Sequence, residues 1–209
     1  MYTPPYFKSD NPELTRSIIE QYPFGTMITP SPDGLKVTHI PFLFNSGEGE
    51  HGTLLGHVAK KNEHWQHLEG DEETLAIFQG PHAYVSPTWY EEHFSVPTWN
   101  YASVHLYGNP RLMDEERSYE LLMRMLEVFE GPNSTYDFNA GEDYIRKQLP
   151  AIVAFEMPVS RIEAKFKMSQ NKSEIDRASV IRHLGERDDE LSRETAACML
   201  DIYAREGTP

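Results

Sequence analysis

The sequence predicts a mainly β protein with flanking helices, of the α+β class, arranged as an antiparallel barrel. Three observations lead there. Short β-forming runs follow one another through residues 24–87 with little more than turns between most of them, as hairpin-joined strands do. Helical periodicity is inserted among these runs and never alternates with them as a doubly wound parallel sheet requires. The 209 residues are 39% hydrophobic and 11% aromatic, enough for one sizeable core.

The elements follow in order. "NPELTRSIIEQYP" opens on Asn-Pro, a helix start, and spaces Leu14, Ile18 and Tyr22 at helical intervals before Pro23 stops it. The β runs are "FGTMIT", "LKVTHIPFLF", "GTLLGHVA", "TLAIFQG" and "HAYVSP", with "SPDG" (31–34) as the first turn. A short helix is expected at about 60–69, after the third run. "WNYASVHLYGNPRLM" is a long strand broken by Asn-Pro. "DEERSYELLMRMLEVFEG" (114–131) is the strongest helix, with acids in its first turn, Gly at its end, and Tyr119, Leu122, Met123 and Leu126 as its apolar stripe. "AIVAFEMPVSRIEAKF" returns to strand, and Ser173 to Glu206 reads as two helices with a break near Gly185. Residues 1–187 are expected to form one domain and 188–209 a C-terminal helical extension.

Charge narrows the function. Against 19 Lys and Arg stand 33 Asp and Glu, a net charge of −14, which argues against direct DNA binding. Residues 158–187 alone gather cations: Arg161, Lys165, Lys167, Lys172, Arg177, Arg182 and Arg187 against four acids. No apolar stretch is long enough for a membrane, and "MYTPPYFKSDNPEL" lacks a signal-peptide pattern. With the single cysteine, Cys198, no internal disulfide is possible, and a cytoplasmic location is expected.

One motif misleads. Gly47, Gly49 and Gly52 match G-x-G-x-x-G, with Glu72 twenty residues on. A dinucleotide turn must join a strand to a helix, whereas "GEGEHG" joins two β runs and carries Glu48 and Glu50, which repel phosphate. It reads as a hairpin tip.

"GHVAKKNEHW" is more promising. Amides at a helix start beside Lys60 and Lys61 suit a phosphate monoester; the alternative is a solvated lysine pair. "GPHAYVSPTWYEEHFSVPTWNYASVHLYG" (80–108) mixes aromatics with small polar groups and histidines, as a planar heteroaromatic ligand needs, and equally as an aromatic core or dimer interface needs. In "EAKFKMSQNKSE" (163–174), Lys165 and Lys167 share one strand face and read first as a lysine-guarded sheet edge, with an anion site as the alternative. No G-x-S-x-G, H-E-x-x-H or C-x-x-C occurs, so no catalytic residue is assigned. His57, His64 and His67 are neighbours by chance among nine histidines, and no metal is expected. Cys198 reads as a structural thiol and "EEHF" (91–94) as an exposed turn.

Six ordered segments give the sequence a resemblance: "MYTPPYFK", "THIPFLF", "GHVAKKNEHW", "FQGPHAYVSPTWY", "VPTWNYASVHLYG" and "KFKMSQNKSEIDR". Over about residues 1–185 it resembles the PaiB-type FMN-binding negative transcriptional regulators. The resemblance implies an antiparallel FMN-binding split β-barrel, usually a homodimer with flavin at the interface. In the related pyridoxamine phosphate oxidases a Ser-Arg-Lys run grips the FMN phosphate. Ala59-Lys60-Lys61 is similar, without the hydroxyl, while "NYASVHLYG" lacks their Arg-Gln-Val-Arg strand, which argues against pyridoxine chemistry.

The implied cofactor is FMN. Lys60, Lys61 and amides near Asn62 would hold its phosphate, with His39 and His57 toward the ribityl chain or ring. Ser86, Trp99 and Asn100 would line the isoalloxazine, from this subunit or its partner, and Lys165, Gln170 and Lys172 would meet the N1/O2 end. The implied function is negative regulation of protease synthesis and sporulation without a standard DNA-binding motif. The alternatives are an FMN-dependent oxidoreductase or flavin reductase, and a haem protein ligated by His82, His93 or His105.

Overall fold

The structure is a computed structural model that describes residues 1–70, 72–91 and 95–206, apart from the side chains of 138–140 and 206. His93, and most of the 91–94 turn, lie outside the described residues. The strands are β1 (Phe24–Ser31), β2 (Gly34–Pro41), β3 (Leu43–Asn45), β4 (Thr53–Ala59), β5 (Thr74–Val85), β6 (Thr98–Gly108), β7 (Arg111–Leu112) and β8 (Ile152–Lys167). The helices are α1 (Pro12–Gln21), α2 (Glu115–Glu130), α3 (Phe138–Gln148), α4 (Glu174–Gly185) and α5 (Glu190–Glu206). Strand order in the sheet is β2-β1-β5-β6-β8-β4-β3, with β7 also pairing to β8. The α+β class with antiparallel strand pairs is therefore as expected.

By compactness the chain divides into two units: residues 1–22, 78–105 and from 163 onward, and residues 23–77 with 106–162. The helices beyond residue 173 belong to the first unit, so the described part of 188–209 shares a unit with the N-terminal helix.

In the second unit, β1 and β2 form a hairpin in register from Phe24↔Pro41 to Ser31↔Gly34. Gly34 closes it at φ 114°, a conformation that excludes most side chains, and Ser31 donates its hydroxyl to the Gly34 carbonyl at 2.7 Å. The "GEGEHG" stretch joins β3 to β4, as a hairpin tip does. At Gly108 an added Cβ would meet the Pro158 carbonyl at 2.3 Å, so strand packing there demands glycine.

Helix α2 is capped by Asp114, which accepts from Arg117 N at 2.9 Å. Its buried residues are Ser118, Leu121 and Met125, and the two apolar ones join a core of Leu43, Leu55 and Ala154. This line is about one residue off the expected stripe. Ser118 donates its hydroxyl to the Asp114 carbonyl at 2.6 Å, so its polarity is satisfied within the helix and it can face inward. Tyr119, only partly buried, instead lies under the Arg146 guanidinium, 3.7 Å from the ring. Arg146 belongs to α3, a helix absent from the expected elements; Gly141 and a charged composition obscure its periodicity.

In the first unit, Asn11 caps α1 by accepting from Glu13 N at 2.9 Å, and Pro12 supplies a preset first turn. The helix buries Leu14, Thr15, Ile18 and Ile19. Helices α4 and α5 pack together, α5 burying Thr195, Ala196, Met199 and Ile202. β5 runs unbroken through Gly80-Pro81, where two runs were expected, because extended backbone accommodates both residues.

Candidate functional site

The first group of site residues belongs to the second unit, where β4 ends. β4 pairs with β8 from Thr53↔Pro158 to Ala59↔Ile152, and Lys60 N adds a further bond to the Ala151 carbonyl at 2.7 Å. The chain then turns, Asn62 N donating to the Ala59 carbonyl at 2.8 Å. The expected helix is a five-residue 3-10 turn, Glu63–His67. One of its first amides is engaged, since Asn62 Oδ1 accepts from His64 N at 3.1 Å. Lys60 N and Asn62 N are likewise bonded inward. These three amides are therefore engaged within the protein, and the two ammonium groups are the cations exposed at the turn.

Beneath the turn lies a polar network that the sequence did not single out. Because the His64 amide fixes which end of Asn62 is oxygen, Asn62 Nδ2 faces Thr38 and donates to its Oγ1 at 3.1 Å. The Thr38 hydroxyl also lies 2.8 Å from His64 Nδ1, a second hydrogen bond of the network. His64 is 3% exposed, and Nε2 has no partner among the described residues. Burial first, then repulsion from His67 and Lys36, pushes the His64 pKa down to about 4.

Above this network Lys60 and Lys61 are both exposed. The Lys60 ammonium lies 4.1 Å from the centroid of Trp65, whose indole N–H donates to the Lys60 carbonyl at 3.1 Å. Among the described residues neither lysine has a carboxylate partner. Most arginines here do, including Arg16, Arg117, Arg146, Arg161, Arg182, Arg187 and Arg205. His57, on β4, is half-buried, and burial holds its imidazole below the usual range. His39 is exposed on β2 with Nδ1 2.9 Å from Thr26 Oγ1.

The second group belongs to the first unit. Trp99 is exposed, edge-on to Tyr84 at 6.2 Å and beside His82 at 6.1 Å. Ser86 caps the short Pro87–Trp89 turn, accepting from Thr88 N at 3.3 Å. The Lys172 ammonium lies 4.6 Å from the Tyr90 ring centroid.

Asn100 and Gln170 are buried and internally bonded. Asn100 Nδ2 donates to Ser169 Oγ at 2.9 Å, and the Ser169 hydroxyl lies 3.2 Å from Asn100 Oδ1. Gln170 clamps its own turn, accepting from Met168 N at 2.7 Å and donating to the Phe166 carbonyl at 2.5 Å. Between them Ser169 stands at φ 64°, an uncommon conformation for a residue with a side chain. Both side chains thus hold the loop that carries Lys172, a role that only the conformation of Ser169 reveals.

The edge reading of Lys165 and Lys167 is overturned. β4 pairs with β8 only over 152–158, but at Lys165 the strand meets Lys8 in an isolated bridge, and Lys165 is 7% exposed. Its ammonium donates to the Tyr2 carbonyl at 3.0 Å, with the Tyr2 and Tyr101 ring centroids at 5.6 and 5.2 Å. Lys167 donates to Thr98 Oγ1 and to the Trp99 carbonyl. The cations of 158–187 do not form one open patch: Lys165 and Arg177 are buried, and Arg161 stacks on Tyr107 at 3.5 Å.

No helix among the described residues is long and apolar enough to cross a membrane. Residues 1–161 match the family described as "Putative FMN-binding domain". The chain is 36% identical over 203 residues to the protease synthase and sporulation protein PAI 2 of Bacillus subtilis, covering 96% of this chain and 97% of that protein. That match runs past residue 188, beyond where the resemblance was expected to stop. An uncharacterised Saccharomyces cerevisiae protein is 34% identical over 152 residues, 61% of this chain and 87% of that protein.

Among solved structures, the flavocytochrome Anf3 of Azotobacter vinelandii superposes with a TM-score of 0.58 at 15% identity, over 83% of this chain and 75% of that one. A FAD- and haem-binding protein of Mycobacterium smegmatis gives 0.57 at 16% identity, over 82% and 79%. At such identities these two speak for the fold, the split-barrel class. The exposed, carboxylate-free Lys60–Lys61 pair fits the phosphate of FMN. By the match over most of its length and by its close Bacillus relative, the chain belongs to the PaiB-type family of FMN-binding proteins.

Proposed function

We propose that this chain holds the FMN phosphate on the Lys60–Lys61 turn and acts through the flavin rather than by gripping DNA. The observation that carries this reading is the pair of exposed ammonium groups with no carboxylate partner among the described residues, on a protein of net charge −14. A dianionic phosphate supplies a counter-charge, and the part-buried Thr38–Asn62–His64 network keeps the turn in place to receive it. Flavin, when bound, supplies one- and two-electron transfer. Trp99, Ser86 and Lys172 are proposed as the side chains that face a flavin ring. Asn100, Gln170 and Lys165 act behind them by fixing the backbone. A role in protease synthesis and sporulation, as named for the Bacillus relative, would then run through flavin chemistry or a protein partner in the cytoplasm.

A second copy of the chain is proposed as the partner. On one face of the second unit, Phe24 and Leu35 are 68% exposed and Val37 53%. The register sets Ile28 opposite both Val37 and Leu75, extending the apolar face across three strands, with His39 beside it. Burying such a face suits a homodimer. Light scattering should give a dimer mass for the native chain and a monomer mass for Leu35→Glu with Val37→Asp; a native monomer refutes this partner.

Titration with FMN, read by absorbance and flavin fluorescence, tests the main reading. Saturable quenching with perturbed flavin bands is expected, with no salt-dependent DNA binding. An unperturbed flavin spectrum overturns the reading.

A further inference from the structure

Between α1 and α5, within the first unit, lies an open cleft of about 340 Å³. It is there because small side chains face each other: Ser17 on α1, Ala197 and Cys198 on α5. Its floor is apolar, made by Leu14, Ile18 and Phe166, none more than 3% exposed. Its charge is unbalanced. Arg205, the single cation of the lining, is already held by Asp201 at 2.7 Å and Glu13 at 3.0 Å. Among the described residues Glu194 has no cation partner; the Tyr22 hydroxyl donates to it at 2.8 Å. Burial and the Glu194 carboxylate both push the Tyr22 phenol above its usual range, so it stays neutral and leaves the carboxylate charge uncompensated. Glu190, close enough to act on Tyr22, adds a further negative charge.

We propose that this cleft binds a small organic cation, a primary ammonium on a short alkyl chain, with the ammonium on Glu194 and the chain against Leu14, Ile18 and Phe166. An anion would be repelled, and a neutral alcohol would leave Glu194 without its counter-charge. The site requires no covalent step. Burial pushes the Cys198 thiol up to about 12, so it is a slow nucleophile and a usable reporter of occupancy.

The test adds n-hexylammonium chloride to the full chain, with n-hexanol and sodium hexanoate at matched ionic strength as controls, and follows alkylation of Cys198 by iodoacetamide. At about ten times its Kd, hexylammonium should slow alkylation roughly tenfold. Hexanoate should not slow it, and Glu194→Gln should weaken the protection about tenfold. Equal protection by hexanol, or protection unchanged in Glu194→Gln, overturns the proposal. Ala197→Trp, at an exposed position, fills the cleft without disturbing the core. Its loss of protection with an unchanged melting temperature supports the site, and retained protection refutes it.

Discussion

Two lysine pairs of similar composition meet opposite fates in this molecule. Lys60 and Lys61 are adjacent on a turn, both exposed, with no carboxylate partner among the described residues. Lys165 and Lys167 alternate on β8, so both point to one face, and that face is packed. The second pair also lacks carboxylates among the described residues but spends its donors on the Tyr2 and Trp99 carbonyls and Thr98. Desolvation, with repulsion from Lys165, holds Lys167 below the usual ammonium range. Backbone context, rather than residue type, separates a cation open to a ligand from one committed to structure.

The largest effect should come from breaking the exposed pair. Lys60→Ala with Lys61→Ala removes two charge-assisted contacts worth roughly 1.5–3 kcal/mol each, so FMN affinity should fall by about two to four orders of magnitude. Urea stability should stay within about 0.5 kcal/mol, because both side chains are exposed. Affinity within a few-fold of the native value would place the phosphate elsewhere.

His64, beneath that turn, gives the next largest effect. Its folded-state pKa, about 4, lies below the free value of 6.5. Above pH 6.5 the ring is neutral in both states and contributes no pH dependence. As pH falls from 6.5 toward 4, the unfolded chain takes up a proton that the folded chain refuses. Stability should therefore drop by up to about 3 kcal/mol, with no further loss from this group below pH 4. Urea titrations at several pH values, native against His64→Gln, isolate that slope from those of His57 and His105, which burial also lowers. Equal slopes in the two proteins would show that His64 does not titrate as its burial implies.

The hairpin of β1 and β2, the long β8 and the two C-terminal helices were legible from their β-forming runs, the "SPDG" turn and the break near Gly185, although Thr29, Lys165, Arg177 and Thr195 within them are buried. The stripe of α2 was misplaced because Ser118 hides its hydroxyl in its own helix. In "AKKN" the sequence showed two adjacent cations but not that the Lys60, Asn62 and His64 amides bond within the protein. Thr38 and His64 stayed invisible because they are 26 residues apart and meet only through strand pairing and the turn after β4. Ser169 was missed because nothing in "KMSQNK" announces a positive φ.

Lys165, the buried member of the second pair, should respond to volume more than to charge. Lys165→Met keeps most of the volume and removes a cation that has no carboxylate, so stability should change by less than about 1 kcal/mol. Lys165→Ala leaves a cavity and should cost about 2 kcal/mol. Similar losses in both variants would mean that the ammonium itself holds Tyr2, and the contrast between the pairs would narrow.

The smallest effect sharpens the exposed side of the contrast. Trp65→Phe keeps an aromatic face for the Lys60 ammonium but loses the indole bond to the Lys60 carbonyl. One exposed neutral hydrogen bond contributes about 0.5–1 kcal/mol, so FMN affinity should fall no more than about fivefold. Trp65→Ala removes the ring as well and should cost a further ~0.5–1 kcal/mol by releasing the lysine from its preset position. If Trp65→Ala instead binds FMN more tightly, the ring competes with the phosphate for Lys60. The exposed pair would then be a single free cation, Lys61, beside one that the protein itself occupies.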